Sequence, residues 1–310
     1  MNTEASVYIA GHNGMVGSAI HRNLKAKGFK HFITKSSSEL DLRNQAAVNT
    51  FFDTEKPDYV FLAAARVGGI HANNTLRADF IYDNIMIQSN VIHAAHTSNV
   101  SKLLFLGSSC IYPKFAAQPM NEAALLTGEL EPTNEPYAIA KIAGVKMCDA
   151  YRSQHGRDFI SVMPTNLYGP NDNYDLNKSH VLPALLRKFH TASKNNDPEV
   201  VMWGTGSPKR EFMHVDDLAE ACIYLMDNYS EPGVVNIGTG EEISIFELAQ
   251  KISQVTDYQG VITKDLSKPD GTPRKLMDVS LLHNLGFKHK ISLDEGINSV
   301  YKSLKDKPWY

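Results

Sequence analysis

A chain of 310 residues has room for one large α/β domain or two smaller ones, and its 43% hydrophobic and 21% charged content excludes disordered, collagen-like and coiled-coil classes. With 31 basic and 34 acidic residues the net charge is −3, so broad electrostatic capture of nucleic acid or of an anionic membrane is not expected. Three cysteines, Cys110, Cys148 and Cys222, are too few and too unpaired for a disulfide framework and fit a reducing cytoplasm.

The N-terminal stretch MNTEASVYIAGHNG has no basic region and no apolar run of signal-peptide length. No later stretch approaches the ~20 apolar residues of a membrane span. Short apolar runs instead alternate with amphipathic segments of helix length. VYIAG (7–11) reads as a buried strand, and 15–27 as a helix that Gly28 ends. HFIT (31–34) is a second strand, 45–55 a helix stopped before Pro57, and DYVFLAAA (58–65) a third strand. A long helix over 78–98 places Ile81, Ile85, Val91, Ile92 and Ala95 at roughly helical spacing. KLLFLGSS (102–109) is a fourth strand, 137–155 a helix, and 159–169 a fifth strand running into a loop. This alternation predicts βαβ units and a parallel sheet covered on both faces. After Gly169 the rhythm changes. A helix is expected near 181–192, another over 217–226 and a late strand at 234–238, while the tail from about 260 carries the loop residues Pro269, Gly271 and Pro273.

The first strand runs directly into Gly11-His12-Asn13-Gly14-Met15-Val16-Gly17 and then a helix. Glycines at this spacing allow a tight turn, a close backbone approach to a pyrophosphate, and a helix N-terminus that offers free N–H groups. The expected fold is therefore α/β, a Rossmann-type doubly wound parallel sheet with a smaller C-terminal lobe. The division is expected at 1–170, a nucleotide-binding domain with a returning segment near 212–240, and 171–310, a substrate-binding lobe. At the end of the second strand stand Lys35 and three serines, where an NAD site usually has an acid. A cation among hydroxyls suits a 2′-phosphate, so NADP is the expected cofactor. Asp41 follows closely enough to reach the adenine.

Tyr137 and Lys141 lie four apart on a predicted helix and share a face, and Ser108 ends the fourth strand 29 residues upstream. A phenol has a pKa of ~10, too high for proton transfer near neutrality. An adjacent ammonium would lower it. With a serine hydroxyl on the substrate oxygen, such a set can protonate a carbonyl as hydride reaches its carbon.

The runs GHNGMVGSAI (11–20), AARVGGIHANN (64–74), FLGSSCIYPK (105–114), EPTNEPYAIAKIAG (131–144), MPTNLYGPNDN (163–173), REFMHVDD (210–217) and KPDGTPRK (268–275) span most of the chain. On these runs the sequence resembles the extended short-chain dehydrogenase/reductase family, and within it the enzymes that invert and reduce GDP-keto sugars. The resemblance implies NADPH-dependent 3,5-epimerisation and 4-reduction of GDP-4-keto-6-deoxymannose to GDP-L-fucose, without a metal. It implies that Tyr137, Lys141 and Ser108 serve the reduction, and that Cys110 and His180 are the base and acid at C3 and C5. Related sugar-nucleotide dehydratases carry an Asp–Glu pair where this chain has Ser109 and Cys110, which argues against dehydration. Ser108 and Cys110 are expected to face the same way if strand geometry persists. The resemblance further implies cofactor contacts along Leu106, Gly107, Ser108, Ser109, Lys141, Pro164, Thr165, Asn166, Leu167 and His180. Substrate contacts are implied at Lys188, Trp203, Arg210 and Asp270, and a homodimer through the 78–98 and 137–155 helices. Two other readings stay open: a different sugar-nucleotide 4-epimerase or 4-reductase, and a non-catalytic NADP sensor.

Overall fold

Strand residues alternate strictly between two cores. In the computed structural model, which describes residues 1–176, 179–268, 270–306 and 309, Tyr8 and Ala10 enter one apolar cluster while Val7 and Ile9 enter another. Leu103 and Phe105 divide from Leu104 and Leu106 in the same way. Because successive strand side chains point to opposite faces, these runs must be apolar throughout, and both faces must be covered.

The first half of the chain supplies β1 (Ser6–Ala10), α1 (Met15–Ala26), β2 (His31–Ile33), α2 (Gln45–Glu55), β3 (Tyr59–Leu62), α3 (Ile70–Thr75), α4 (Arg77–Thr97), β4 (Lys102–Leu106), α5 (Glu135–His155) and β5 (Phe159–Pro164). The second half supplies β6 (Asn166–Tyr168), α6 (Val181–Asn195), β7 (Glu199–Trp203), β8 (Lys209–Arg210), β9 (Phe212–His214), α7 (Val215–Asn228), β10 (Val234–Ile237), β11 (Ile243–Ser244), α8 (Ile245–Val255), β12 (Val261–Asp265), β13 (Arg274–Lys275), α9 (Ser280–Asn284) and α10 (Leu293–Leu304). The main sheet is parallel, in the order β10-β5-β4-β3-β1-β2. Helices α2, α4 and α5 cover one face and α1 and α7 the other. A third cluster lies outside the sheet, built from α6, β7, β9, α8 and α10 around Leu186, Phe189, Leu248 and Ile297.

The parallel sheet stands as the sequence predicts, with differences at the edges. Strand β4 stops at Leu106, and Ser109–Ile111 form a turn of 3-10 helix in place of more strand. Helix α5 begins two residues early, at Glu135, with Pro136 in its first turn, where a missing N–H costs nothing. The tail is far more regular than its prolines and glycines suggest, since β12, β13, α9 and α10 all fall beyond residue 260. Pro269 lies outside the described residues. Helices α8 and α10 each open on a reciprocal capping box, Ser244 with Glu247 and Ser292 with Glu295, and those pairs fix their starts. Among the described residues no helix is long and apolar enough to cross a membrane.

Helices α4 and α5 approach closely at Gly144. A Cβ there would lie 2.4 Å from the Phe105 ring and 2.9 Å from the Gln88 amide oxygen. Gln88, on α4, donates to the Ala140 carbonyl of α5 and seals the contact. The Gly144→Ala variant gains about 1 kcal/mol of helix propensity but overpacks by ~1–3 kcal/mol, so urea unfolding is expected to show a net loss of stability. Unchanged or higher stability would show that the two helices have slack at this crossing.

Candidate active site

The glycine loop is shaped by contacts that admit no side chain. Gly11 has φ +88°, and a Cβ on Gly17 would lie 2.2 Å from the Gly11 carbonyl oxygen. Helix α1 starts at the extended residue Gly14, which gives it no side-chain cap, and has no acid in its first turn. Its first N–H groups therefore point into a cradle suited to a pyrophosphate. Beside them the buried His12 Nδ1 has no partner. Asn13, Met15 and Val16 complete the loop. At the end of β2, Lys35 lies 3.6 Å from Glu55, and the Ser36 hydroxyl donates to Glu39. Asp41 is held by Arg43 through Nε at 3.0 Å and Nη2 at 2.9 Å.

The second group forms where β4 ends. Lys141, buried on α5, donates from Nζ to the Leu106 carbonyl at 2.8 Å, with its ammonium 4.8 Å from the Phe105 ring centroid and 5.9 Å from that of Tyr137. The expectation that this ammonium acidifies the phenol is not met. Burial pushes the Tyr137 phenol up, proximity to Cys110 adds to that, and a hydrogen bond from Ser108 works the other way. Burial also brings Lys141 down to about 7. The reason is shared: desolvation favours the neutral form of acid and base alike, and the Lys141 amine donates to the Leu106 carbonyl. Phe80 meets the Tyr137 ring edge-on at 6.3 Å.

Ser108 Oγ accepts the Cys110 N–H at 3.3 Å and so caps the 3-10 turn. The same-face expectation for Ser108 and Cys110 therefore fails in its premise, because the strand has already ended. The turn nevertheless brings both residues within electrostatic reach of Tyr137. Ser109 is buried beneath them, and the Gly107 N–H is bound to Val162 at 2.8 Å. From β13, Lys275 donates to Cys110 Sγ at 3.7 Å. Desolvation and then the same Lys275 ammonium lower the pKa of His180, which stands at the N-cap of α6. Lys275 thus contacts the thiol and bears electrostatically on the imidazole, a role the sequence did not announce. Its only local signal was its place at the end of KPDGTPRK.

A third group sits on the outer lobe. Trp203 ends β7 with 66% of its surface exposed, and the amines of Lys188 and Lys268 each lie 5.5 Å from its ring centroid. Arg210 is fixed by the Lys209 and Thr272 carbonyls at 2.7 and 2.6 Å, and burial lowers its pKa. Asp270 accepts from the Thr205 N–H at 2.9 Å and hydroxyl at 2.7 Å, which ties Asp270 to the stretch just after β7. The Pro164–Leu167 segment, expected as a loop, is the junction where β5 passes through Thr165 into β6, and it connects the two regions. Thr165 Oγ1 and Asn166 Nδ2 donate to the Glu211 carbonyl at 3.4 and 2.8 Å, and Leu167 pairs with Met213.

A family model described as the NAD dependent epimerase/dehydratase family matches residues 7–238. The chain belongs to this family. Among epimerase/dehydratase relatives it is 61% identical to GDP-L-fucose synthase 1 of Arabidopsis thaliana over 96% of this chain and 92% of that protein. It is 58% identical to the GDP-L-fucose synthase of Escherichia coli K12 over 96% of this chain and 95% of that one. A GDP-mannoheptose C4 reductase of Campylobacter jejuni, solved with NADP bound, superposes with a TM-score of 0.91 at 44% identity, covering 97% of this chain and 98% of that one.

The three thiols of this family member differ sharply. Cys148 and Cys222 are buried and pushed up to about 12 by burial, whereas Cys110 is partly exposed. Iodoacetamide at neutral pH is expected to label the native protein once, at Cys110, by peptide mass spectrometry. The Cys110→Ser variant should take no label. Faster labelling of Cys148 or Cys222 would contradict this placement.

Proposed function

We propose that this protein converts GDP-4-keto-6-deoxymannose to GDP-L-fucose, inverting C3 and C5 and reducing C4 with NADPH. Relatives at 58–61% identity named for this activity support the substrate. The observation that carries the chemistry is the meeting of Tyr137, Ser108 and Cys110, with Lys275 linking Cys110 to His180. A simple 4-epimerase or 4-reductase has no use for a thiol and an imidazole at that place.

The chain's residues act as follows. The C3 and C5 protons flank the C4 ketone and become acidic once the enolate oxygen is held, here by the Tyr137 and Ser108 hydroxyls. Cys110, as thiolate, takes a proton from one face of the sugar, and His180 returns one to the other. The Lys275 ammonium favours negative charge on Cys110 and, by lowering the His180 pKa, makes the imidazolium give up its proton more readily. NADPH supplies the hydride that adds to C4, and Tyr137 gives its proton to the C4 oxygen. Lys141 holds Tyr137 in place through the end of β4. The glycine loop from Gly11 to Gly17 receives the pyrophosphate, Lys35 the 2′-phosphate, and Asp41 lies at the adenosine end. Leu106, Gly107, Ser108, Ser109, Lys141, the Pro164–Leu167 turn and His180 line the nicotinamide side. Lys188 and Arg210 neutralise the diphosphate of the substrate, Trp203 offers its face, and Asp270 accepts from the nucleotide.

In this reading residues 1–170, with the returning segment near 212–240, hold NADP, and 171–310 hold the sugar nucleotide, in the cytoplasm. The protein is a homodimer through α4 and α5. Their outward face carries Tyr82 and Ile139, 61% and 42% exposed, which suits a four-helix contact between two copies.

Incubation with GDP-4-keto-6-deoxymannose and NADPH should yield GDP-L-fucose by NMR. The Tyr137→Phe variant should lose reduction by at least about 10²-fold. The Cys110→Ser variant should lose deuterium uptake at C3 and C5 from D₂O, and normal uptake in that variant would refute its role. In a separate test, Ile139→Arg should convert a dimer to a monomer by light scattering, and a monomeric wild type at micromolar concentration would overturn the dimer.

A further inference from the structure

Glu211 is a fully buried carboxylate, 0% exposed, with no ion-pair partner among the described residues. All its donors are neutral. Oε1 accepts the Thr239 and Gly240 N–H groups at 2.6 and 2.8 Å, and Oε2 accepts the Met277 N–H at 3.1 Å. The turn at 238–240 wraps so tightly that a Cβ on Gly238 would lie 2.2 Å from Oε1. The backbone carbonyl of the same residue accepts Asn166 Nδ2 and Thr165 Oγ1.

A chain buries an ionisable group without a counter-charge only where several donors converge on it. Here two separate stretches, 239–240 and 277, donate to the carboxylate and a third, 165–166, donates to the backbone carbonyl of the same residue, and together they lead to the proposed site. Glu211 directly follows Arg210, whose strand pairs with β13 so that Lys275 stands opposite Arg210. Met277 lies two residues beyond Lys275. Asn166 belongs to the turn assigned above to the nicotinamide side. We propose that Glu211 is a positioning residue that fixes the spacing between the diphosphate end of the substrate, at Arg210, and the reacting end, at Cys110–Lys275 and Asn166. Only a carboxylate serves, because it presents two acceptor atoms and no donor. A glutamine of the same shape must point an NH₂ at Met277 or at the 239–240 turn, and one strand shifts. Displacements of about 1 Å at a reacting centre can cost about 10²-fold in rate.

This inference rests on the function proposed above, so its test includes a binding readout that needs no turnover. The Glu211→Gln and Glu211→Asp variants are compared with wild type for GDP affinity by calorimetry, NADPH affinity by fluorescence, and KM and kcat for the keto-sugar. In Glu211→Gln, GDP binding is expected to weaken and KM to rise about tenfold, with kcat lower by at least about tenfold. NADPH affinity, set largely by the distant glycine loop, should change by less than about threefold. Glu211→Asp keeps the charge but is one methylene too short to reach both sides, and should show intermediate values. If Glu211→Gln does not fold, an unchanged GDP affinity and KM in Glu211→Asp overturns the proposal. So does a lowered kcat with GDP affinity and KM unchanged, the mark of a smaller folded fraction. A wild type that binds GDP yet leaves the keto-sugar unconverted removes the reaction assigned above, and the GDP comparison then decides the role of Glu211.

Discussion

One hydrogen bond organises the centre of this molecule. The Lys141 amine, buried on α5, meets the Leu106 carbonyl at the end of β4. It gives the strand-end carbonyl a buried donor, and it pins the first turns of α5 against the sheet. Tyr137 lies one helical turn before Lys141, and Ser108 and Cys110 lie just beyond Leu106, so both halves of the proposed site are set by the same bond. Its cost is the burial of the amine, which disfavours the charged form. Lys141 falls from the ordinary lysine range to about 7 in the folded protein. Between about 7 and the unfolded value of ~10.4 the unfolded chain binds more protons than the native one, so this residue makes stability rise with pH across that window. The fold carries a strained base at its centre in return for a fixed geometry.

The parts legible in the sequence are those whose cause is local. Apolar runs such as VYIA and KLLFL announce strands buried on both faces, and the glycine loop announces a turn with no room for side chains. The Ser244–Glu247 and Ser292–Glu295 capping boxes are equally local signals, of a serine three residues before a glutamate. Other features are set by distant contacts. Lys275 reaches Cys110 only because β13 pairs with β8, a register between segments more than sixty residues apart. Glu211 reads as one acid in a charged stretch until three remote segments close around it. The premise about Ser108 and Cys110 failed because a strand's end is decided by its neighbours: β3 stops at Leu62, opposite Phe105, and β5 ends on Pro164, which has no N–H to offer.

The smaller lobe shows a different logic from the sheet. Its exposed aromatic face at Trp203 stands between two amines, and the turn carrying Asp270 is tied down by Thr205. Apolar surface is left open here while the core beneath it is fully packed, around Leu186 and Ile297. A surface of this kind recognises flat, anionic molecules by stacking and charge. The side chains proposed for the chemistry sit instead at the ends of strands and helices, Ser108 and Cys110 just beyond β4 and His180 at the N-cap of α6.

The edge strand of the main sheet has a history of its own. Strand β10 lies beside β5, yet residues 165–233 come between them in the chain. During synthesis on the ribosome the first five strands emerge together, but β5 must wait with an open flank until the outer segments and α7 have been made. That bare edge is the stretch of the nascent protein most exposed to wrong pairing, and it is closed only when the late strand arrives.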